Sequence, residues 1–160
     1  MSEADPSSNP ASQSNSELYA PKDLVWGTQV DVNVTMMQFE KFLREYRDAT
    51  TGEVFYPRVL EQICLANMTF MNLDCTNIMS IAPALYTNLV YFPNEVVPIM
   101  DQVITRFKEE KFPGLVDSTP PILIRPFHLS STKNMRDLNP HDIDCLVAIK
   151  GMVIRCGTII

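Results

Sequence analysis

Apolar residues return at helical spacing along most of the first 112 positions, then give way to a different pattern. Met36, Phe39, Phe42, Leu43 and Tyr46 form one such stripe, and the run Thr35-Met36-Met37-Gln38 fits a capping box that would open this helix at Thr35. Glu40 and Arg44 stand four apart in the favourable order, and Asp48–Glu53, containing Gly52, ends the element. A second helix is predicted from Pro57, a first-turn proline, with Leu60, Ile63 and Cys64 turned inward. Over Phe70–Ile81 the helical period is lost. Leu73 and Cys75 alternate there with Asp74 and Thr76, which predicts a short strand or extended segment. A third helix starts near Pro83, carries Leu85, Tyr86, Leu89 and Val90, and breaks at Phe92-Pro93. The fourth and longest buries Val96, Met100, Val103, Ile104 and Phe107 and ends in the charged Lys108–Lys111. Pro98 removes one backbone donor early in it, which predicts a kink. Pro113-Gly114 and Pro120-Pro121 frame a loop at 113–121. Residues 18–112 thus read as a small helical bundle.

Beyond that loop the pattern turns to β-structure. Asn139, Pro140 and Asp142 read as an N-cap, a first-position proline and a carboxylate at the positive end of a short helical turn. From Leu146 the residues are aliphatic and β-branched, with Val147, Ile149 and Val153 on one face of a strand that reaches Arg155. Gly151 interrupts it and predicts a bulge or close approach.

Composition narrows the function classes. With 46% hydrophobic and 20% charged residues, the 160-residue chain suits one domain, or one and part of another. A net charge of −6 argues against a generic polyanion binder. The charge is uneven: residues 122–160 carry five basic side chains against three aspartates, a net of +2, which leaves −8 for the rest. The four cysteines form no Cys-x-x-Cys pair and the two histidines complete no evident metal set, so reduced, individually buried thiols in a cytosolic or nuclear compartment are expected. No apolar run approaches the roughly 20 residues that span a bilayer, and the N-terminus lacks the pattern of a signal peptide. Residues 1–17 have no large apolar side chain after Met1 and read as a disordered, solvated leader without Ser-Pro or Thr-Pro steps. Catalytic chemistry is missing too. No Gly-x-x-x-x-Gly-Lys-Ser/Thr spacing occurs, Lys150-Gly151 stands in the wrong order, and Asp142 and Asp144 suit capping better than acid–base work.

The run from Leu138 to Arg155, Leu-Asn-Pro-His-Asp-Ile-Asp-Cys-Leu-Val-Ala-Ile-Lys-Gly-Met-Val-Ile-Arg, resembles the start of the OB-fold in the N-terminal region of minichromosome maintenance (MCM) proteins, the subunits of the eukaryotic replicative helicase. Ile122–Phe127 is similar to that family's Arg-Pro-Phe strand and Thr132–Arg136 to the link between the two. Leu24-Val25-Trp26-Gly27-Thr28 followed by Phe39-x-x-Phe42-Leu43 is most like the fourth of the six subunits. The resemblance covers roughly residues 24–156 and implies an α+β fold, in which a helical bundle subdomain is followed by the beginning of an OB-fold β-barrel. Five strands do not fit in the 39 residues from Ile122 to Ile160, so the barrel is expected to be incomplete. Val147–Arg155 would then form an open, aggregation-prone edge, insoluble or disordered in isolation. The resemblance places ATP with Mg and a zinc module elsewhere in the full-length family, with no cofactor in this chain. It implies a role in ring assembly and DNA encirclement by a nuclear hetero-hexamer. The implied partners are other MCM subunits, single- and double-stranded DNA, loading factors and replication kinases, with no membrane. The alternative is a truncated interaction or regulatory module without helicase activity. By the same resemblance the candidate DNA contacts are Arg155 and Arg125 first, then Lys150, Arg136 and Lys133. The competing reading for the two arginines is an ion pair with Asp142 or Asp144. Phe127 reads as a buried strand aromatic rather than a base stacker. His128 stands where the family usually has Asn, and Cys156 where a small hydroxyl residue is usual.

Overall fold

The computed structural model describes residues 23–48, 52–113 and 120–158. The leader at 1–17, the centre of the 48–53 turn and most of the 113–121 loop lie outside the described residues.

Helix α1 runs from Val32 to Glu45 and opens at Asp31, whose carboxylate accepts the Val34 N–H at 3.1 Å. Its cap therefore stands four residues ahead of the one read at Thr35. Asp31 is the stronger acceptor for the orphan first-turn donors, and Thr35, 1% exposed, is packed inside the first turn instead. The inward stripe is as expected, with Phe39, Phe42 and Leu43 fully buried. A turn follows in which Gly52 has φ +68° and donates to the Asp48 carbonyl at 2.8 Å; a side chain would strain that conformation. Helix α2 spans Phe55–Leu65. Pro57 sits in its first turn, where no helical donor is lost, and Phe55 and Tyr56 precede it within the helix. The rings of Phe39, Phe42, Tyr46 and Tyr56 pack together, with Phe42 4.9 Å from Tyr56 and 5.6 Å from Tyr46.

Strand β1, Phe70–Asp74, alternates strictly, with Met71 and Leu73 buried. The segment after it is not extended, contrary to the pattern reading. Cys75–Ile81 is helix α3, capped by Asp74, which accepts the Thr76 N–H at 2.9 Å. Asp74 is both the last residue of β1 and this cap, so the alternation stops there, and a helix burying only Cys75 and Ile78 is too short to show a period. Helix α4 occupies Pro83–Tyr91 and α5 Pro93–Lys111, separated at the Phe92-Pro93 step as expected. Pro98 is accommodated within one continuous α5. Helix α5 packs against α1, α4 and the next strand. Exposed Arg44 and Arg106 tie α1 to α5 through Glu40 and Glu110 at 2.7–2.9 Å, a contribution of about 1 kcal/mol or less per pair.

Strand β2, Leu123–Phe127, pairs in parallel with β1, from Phe70↔Leu123 to Asp74↔Phe127. Ile122 and Ile124 enter the same buried cluster as the helices. A second parallel pair joins β3, Thr132–Asn134, to β4, Ala148–Lys150, with 3₁₀ turns at Met135–Asp137 and Pro140–Asp142 between them. The α+β class is thus as expected. The long strand read from Leu146 to Arg155 is not. Pairing covers only Ala148–Lys150, and 151–158 is exposed and without regular structure. β-propensity holds a strand only where a neighbour and a packed face support it, and β3 offers three residues. Accordingly Ile149 is 45% and Val153 79% exposed rather than sharing a buried face. Gly151 marks no tight approach either, since a Cβ there would meet Met135 Sδ at an ordinary 3.5 Å.

Candidate nucleic-acid interface

The pleat of β2 decides where Arg125 goes. Ile124 turns into the core, so Arg125 turns outward on the same face as Phe70 and Phe127. Its guanidinium lies 4.0 Å from the centre of the Phe70 ring, a cation–π contact. The ion pair with Asp142 or Asp144 read as its alternative is not made. Phe127, expected to be buried, is 40% exposed.

The β3–β4 pair collects three more of the candidates. Asn134 stands opposite Lys150 in the register, with Lys133 one residue earlier on β3 and Arg136 in the turn that follows. Lys133 is half-buried and its ammonium binds Asp142 Oδ1. The same carboxylate reaches back to accept the Asn139 N–H at 3.0 Å. That hydrogen bond from Lys133, and then the one from Asn139, hold the Asp142 carboxyl below its ordinary value. The proline-led turn is therefore present and closes as a capping box, the Asn139 side chain facing the Asp142 N–H while the Asp142 carboxylate accepts the Asn139 N–H. The Asn139 amide group also donates to the Asp137 carbonyl at 3.2 Å. Arg136, Lys150 and Arg155 are exposed, and among the described residues none of them makes an ion pair. Arg155 lies in the unpaired 151–158 segment, and Arg125 stands on the other sheet. The structure thus groups Lys133, Arg136 and Lys150, and sets Arg125 and Arg155 apart from them.

Between the sheets the chain is pinned in a way the sequence pattern did not indicate. His128 adopts φ +56° and its Nδ1 lies 3.1 Å from Asp74 Oδ2. Histidine tolerates that left-handed conformation better than most residues. Two residues on, the Ser130 N–H donates to the Tyr86 hydroxyl at 3.0 Å. A pocket of about 420 Å³ also went unread; its walls include Phe55, Tyr56, Phe70 and Phe127, with Asp74 and Asn77 at its margin. It combines rings from α2 with the outward face of β1–β2, a juxtaposition invisible without the register. Burial raises the Tyr56 hydroxyl well above its ordinary value, with the Asn77 hydrogen bond opposing.

The cysteines are free. Cys64 and Cys75 are buried, and burial pushes the Cys75 thiol up to about 11. Cys156, by contrast, is exposed, against the expectation of individually buried thiols. Among the described residues no group of three or more His, Cys, Asp or Glu side chains is placed to hold a metal ion. Among the described residues no helix is long and apolar enough to cross a membrane.

The family described as the MCM N-terminal domain matches residues 36–144. The DNA replication licensing factor mcm4-A of Xenopus laevis is 35% identical over 149 residues, 87% of this chain and 17% of that protein. MCM4 of Drosophila melanogaster is 32% identical over 95% of the chain and 18% of its own length. The mcm4 protein of Schizosaccharomyces pombe is 35% identical over 86% of the chain and 18% of its length. The chain therefore spans less than one fifth of each of these relatives, and their shared name agrees with the fourth-subunit resemblance of its first helix and the turn before it. The matched segment contains most of α1, all of α2 to α5, both strands of the first sheet and the 3₁₀ turns, and on that evidence the chain belongs to the MCM family through its N-terminal domain.

Proposed function

We propose that this chain works as the N-terminal part of an MCM subunit in the nucleus, packing beside other MCM subunits in a hetero-hexameric ring and holding the DNA it encircles during replication. The observation that carries the reading is the segment from Ile122 onward. It has a net charge of +2, and it presents Arg136, Lys150 and Arg155 to solvent without acidic partners among the described residues. Unpaired surface cations bind the phosphate backbone by releasing its counterions, without reading sequence. Lys133 contributes less, because its charge is already engaged by Asp142. Phosphate hydrolysis is not part of this chain's share, since these 160 residues hold no Gly-x-x-x-x-Gly-Lys-Ser/Thr run.

A second reading, an interaction module for MCM subunits, loading factors or kinases, draws on Met152, Val153 and Ile154. These consecutive apolar residues are 79–93% exposed, which suits a protein contact. Fluorescence anisotropy with a labelled oligodeoxythymidine across a salt series separates the two. The chain is expected to bind in a salt-dependent way. The variant carrying Arg136→Ala, Lys150→Ala and Arg155→Ala should bind more weakly, with a log–log salt slope shallower by about 2. Association with other MCM subunits, but no salt-dependent DNA affinity, would favour the interaction module.

A further inference from the structure

Strand β2 is bonded on both edges, and only one of them faces another strand. The Leu123 N–H points to β1 and donates to the Thr69 carbonyl at 2.9 Å. The Ile124 N–H points the other way and donates to Asp101 Oδ1 of α5 at 2.7 Å. A carboxylate thus stands where a third strand would otherwise supply a carbonyl, and it satisfies a donor on a residue only 5% exposed. Two helical turns further along α5, the nearly buried Lys108 donates to the Pro120 carbonyl at 3.4 Å. Two contacts seven residues apart on a helix span about 10.5 Å. Four residues of extended chain, Pro120 to Ile124, cover about 13 Å. The approach to β2 therefore runs alongside α5 and is held near both ends.

We propose that Asp101 is a positioning residue for Arg125. By accepting the Ile124 N–H it fixes the pleat and register of β2, and with them the outward placement that stacks the Arg125 guanidinium on Phe70. A strand held only by β1 can pivot about that single ladder, and a one-residue slip would turn Arg125 to the opposite face. Only the last step, delivery of that guanidinium to DNA phosphate, rests on the function proposed above.

The test compares Asp101→Ala, Asp101→Asn, Asp101→Leu and Arg125→Ala in the full chain. In Asp101→Ala the Ile124 amide should exchange with solvent at least tenfold faster, and the Arg125 side-chain protons should lose the upfield shift imposed by the Phe70 ring. Asparagine retains an Oδ1 acceptor and should restore both, whereas Asp101→Leu, which fills the same space without an acceptor, should restore neither. Affinity for oligodeoxythymidine should fall equally in Asp101→Ala and Arg125→Ala, with no further loss in the double variant. An unchanged Arg125 shift in folded Asp101→Ala would overturn the proposal. If that variant does not fold, the unmodified protein still decides: a scalar coupling across the hydrogen bond, between the Ile124 amide nitrogen and the Asp101 carboxyl carbon, is expected, and its absence is contrary. Loss of the shift in Asp101→Ala, with DNA affinity indifferent to Arg125→Ala, would uphold the positioning and remove Arg125 from the DNA contacts.

Discussion

Replacing Phe42 with alanine is expected to lower the unfolding free energy by about 3–5 kcal/mol, read as a drop in the urea midpoint at unchanged slope. The ring is fully buried, with its centre 4.9 Å from that of Tyr56, 5.6 Å from Tyr46 and 6.1 Å from Phe39. It is the hub through which α1 grips α2. Truncation removes its burial and leaves a cavity that three rigid rings cannot fill. Met37, on the opposite face of the same helix and 71% exposed, supplies the contrast: Met37→Ala should shift stability by no more than about 0.5 kcal/mol. Equal effects at the two positions would mean that the stripe on α1 does not face the core.

The second large effect falls on β1. Leu73→Asp places a carboxylate at a position with no solvent exposure, among apolar core side chains. The cost should exceed about 4 kcal/mol, a large part of the 5–15 kcal/mol that ordinarily holds a domain together, so the far-UV circular dichroism of the variant should show substantial unfolding at 25 °C. One residue earlier, Asn72 points outward, and Asn72→Asp should leave the midpoint nearly unchanged. That alternation is the signature of a strand with one buried face. A helix through this region would give no such odd–even contrast.

The same two elements show what can be read without coordinates. Helices with a full apolar stripe, α4 and α5 above all, were legible to their ends, because proline punctuation at Pro83 and Pro93 agrees with the hydrophobic period. Helix α1 was legible in its buried face but not at its start, where Asp31 outcompetes Thr35 as the cap. Helix α3 was hidden by its length: Asp74 both ends β1 and caps the helix, so Cys75 and Thr76 were read as continuing the strand. Strand β1 was half legible: alternation marked it, but nothing local could announce that its partner is β2, far along the chain and parallel to it. The limits at the site follow from that. The five basic residues could be named, but their partners depend on register. Arg125 rests on Phe70 rather than on an aspartate, and Asp142 is taken by Lys133 rather than by an arginine. The aliphatic run to Arg155 was over-read, since β-branched residues state a preference that only a neighbouring strand can realise.

The most direct test is to titrate the isotope-labelled chain with oligodeoxythymidine and follow each amide by its nitrogen–proton correlation signal. Progressive, salt-sensitive shifts should concentrate at Arg125, Arg136, Lys150, Arg155 and their neighbours, leaving the outer faces of α1 and α2 unmoved. Shifts confined to those helices, or none at all at low salt, would contradict a DNA-holding role for the basic segment.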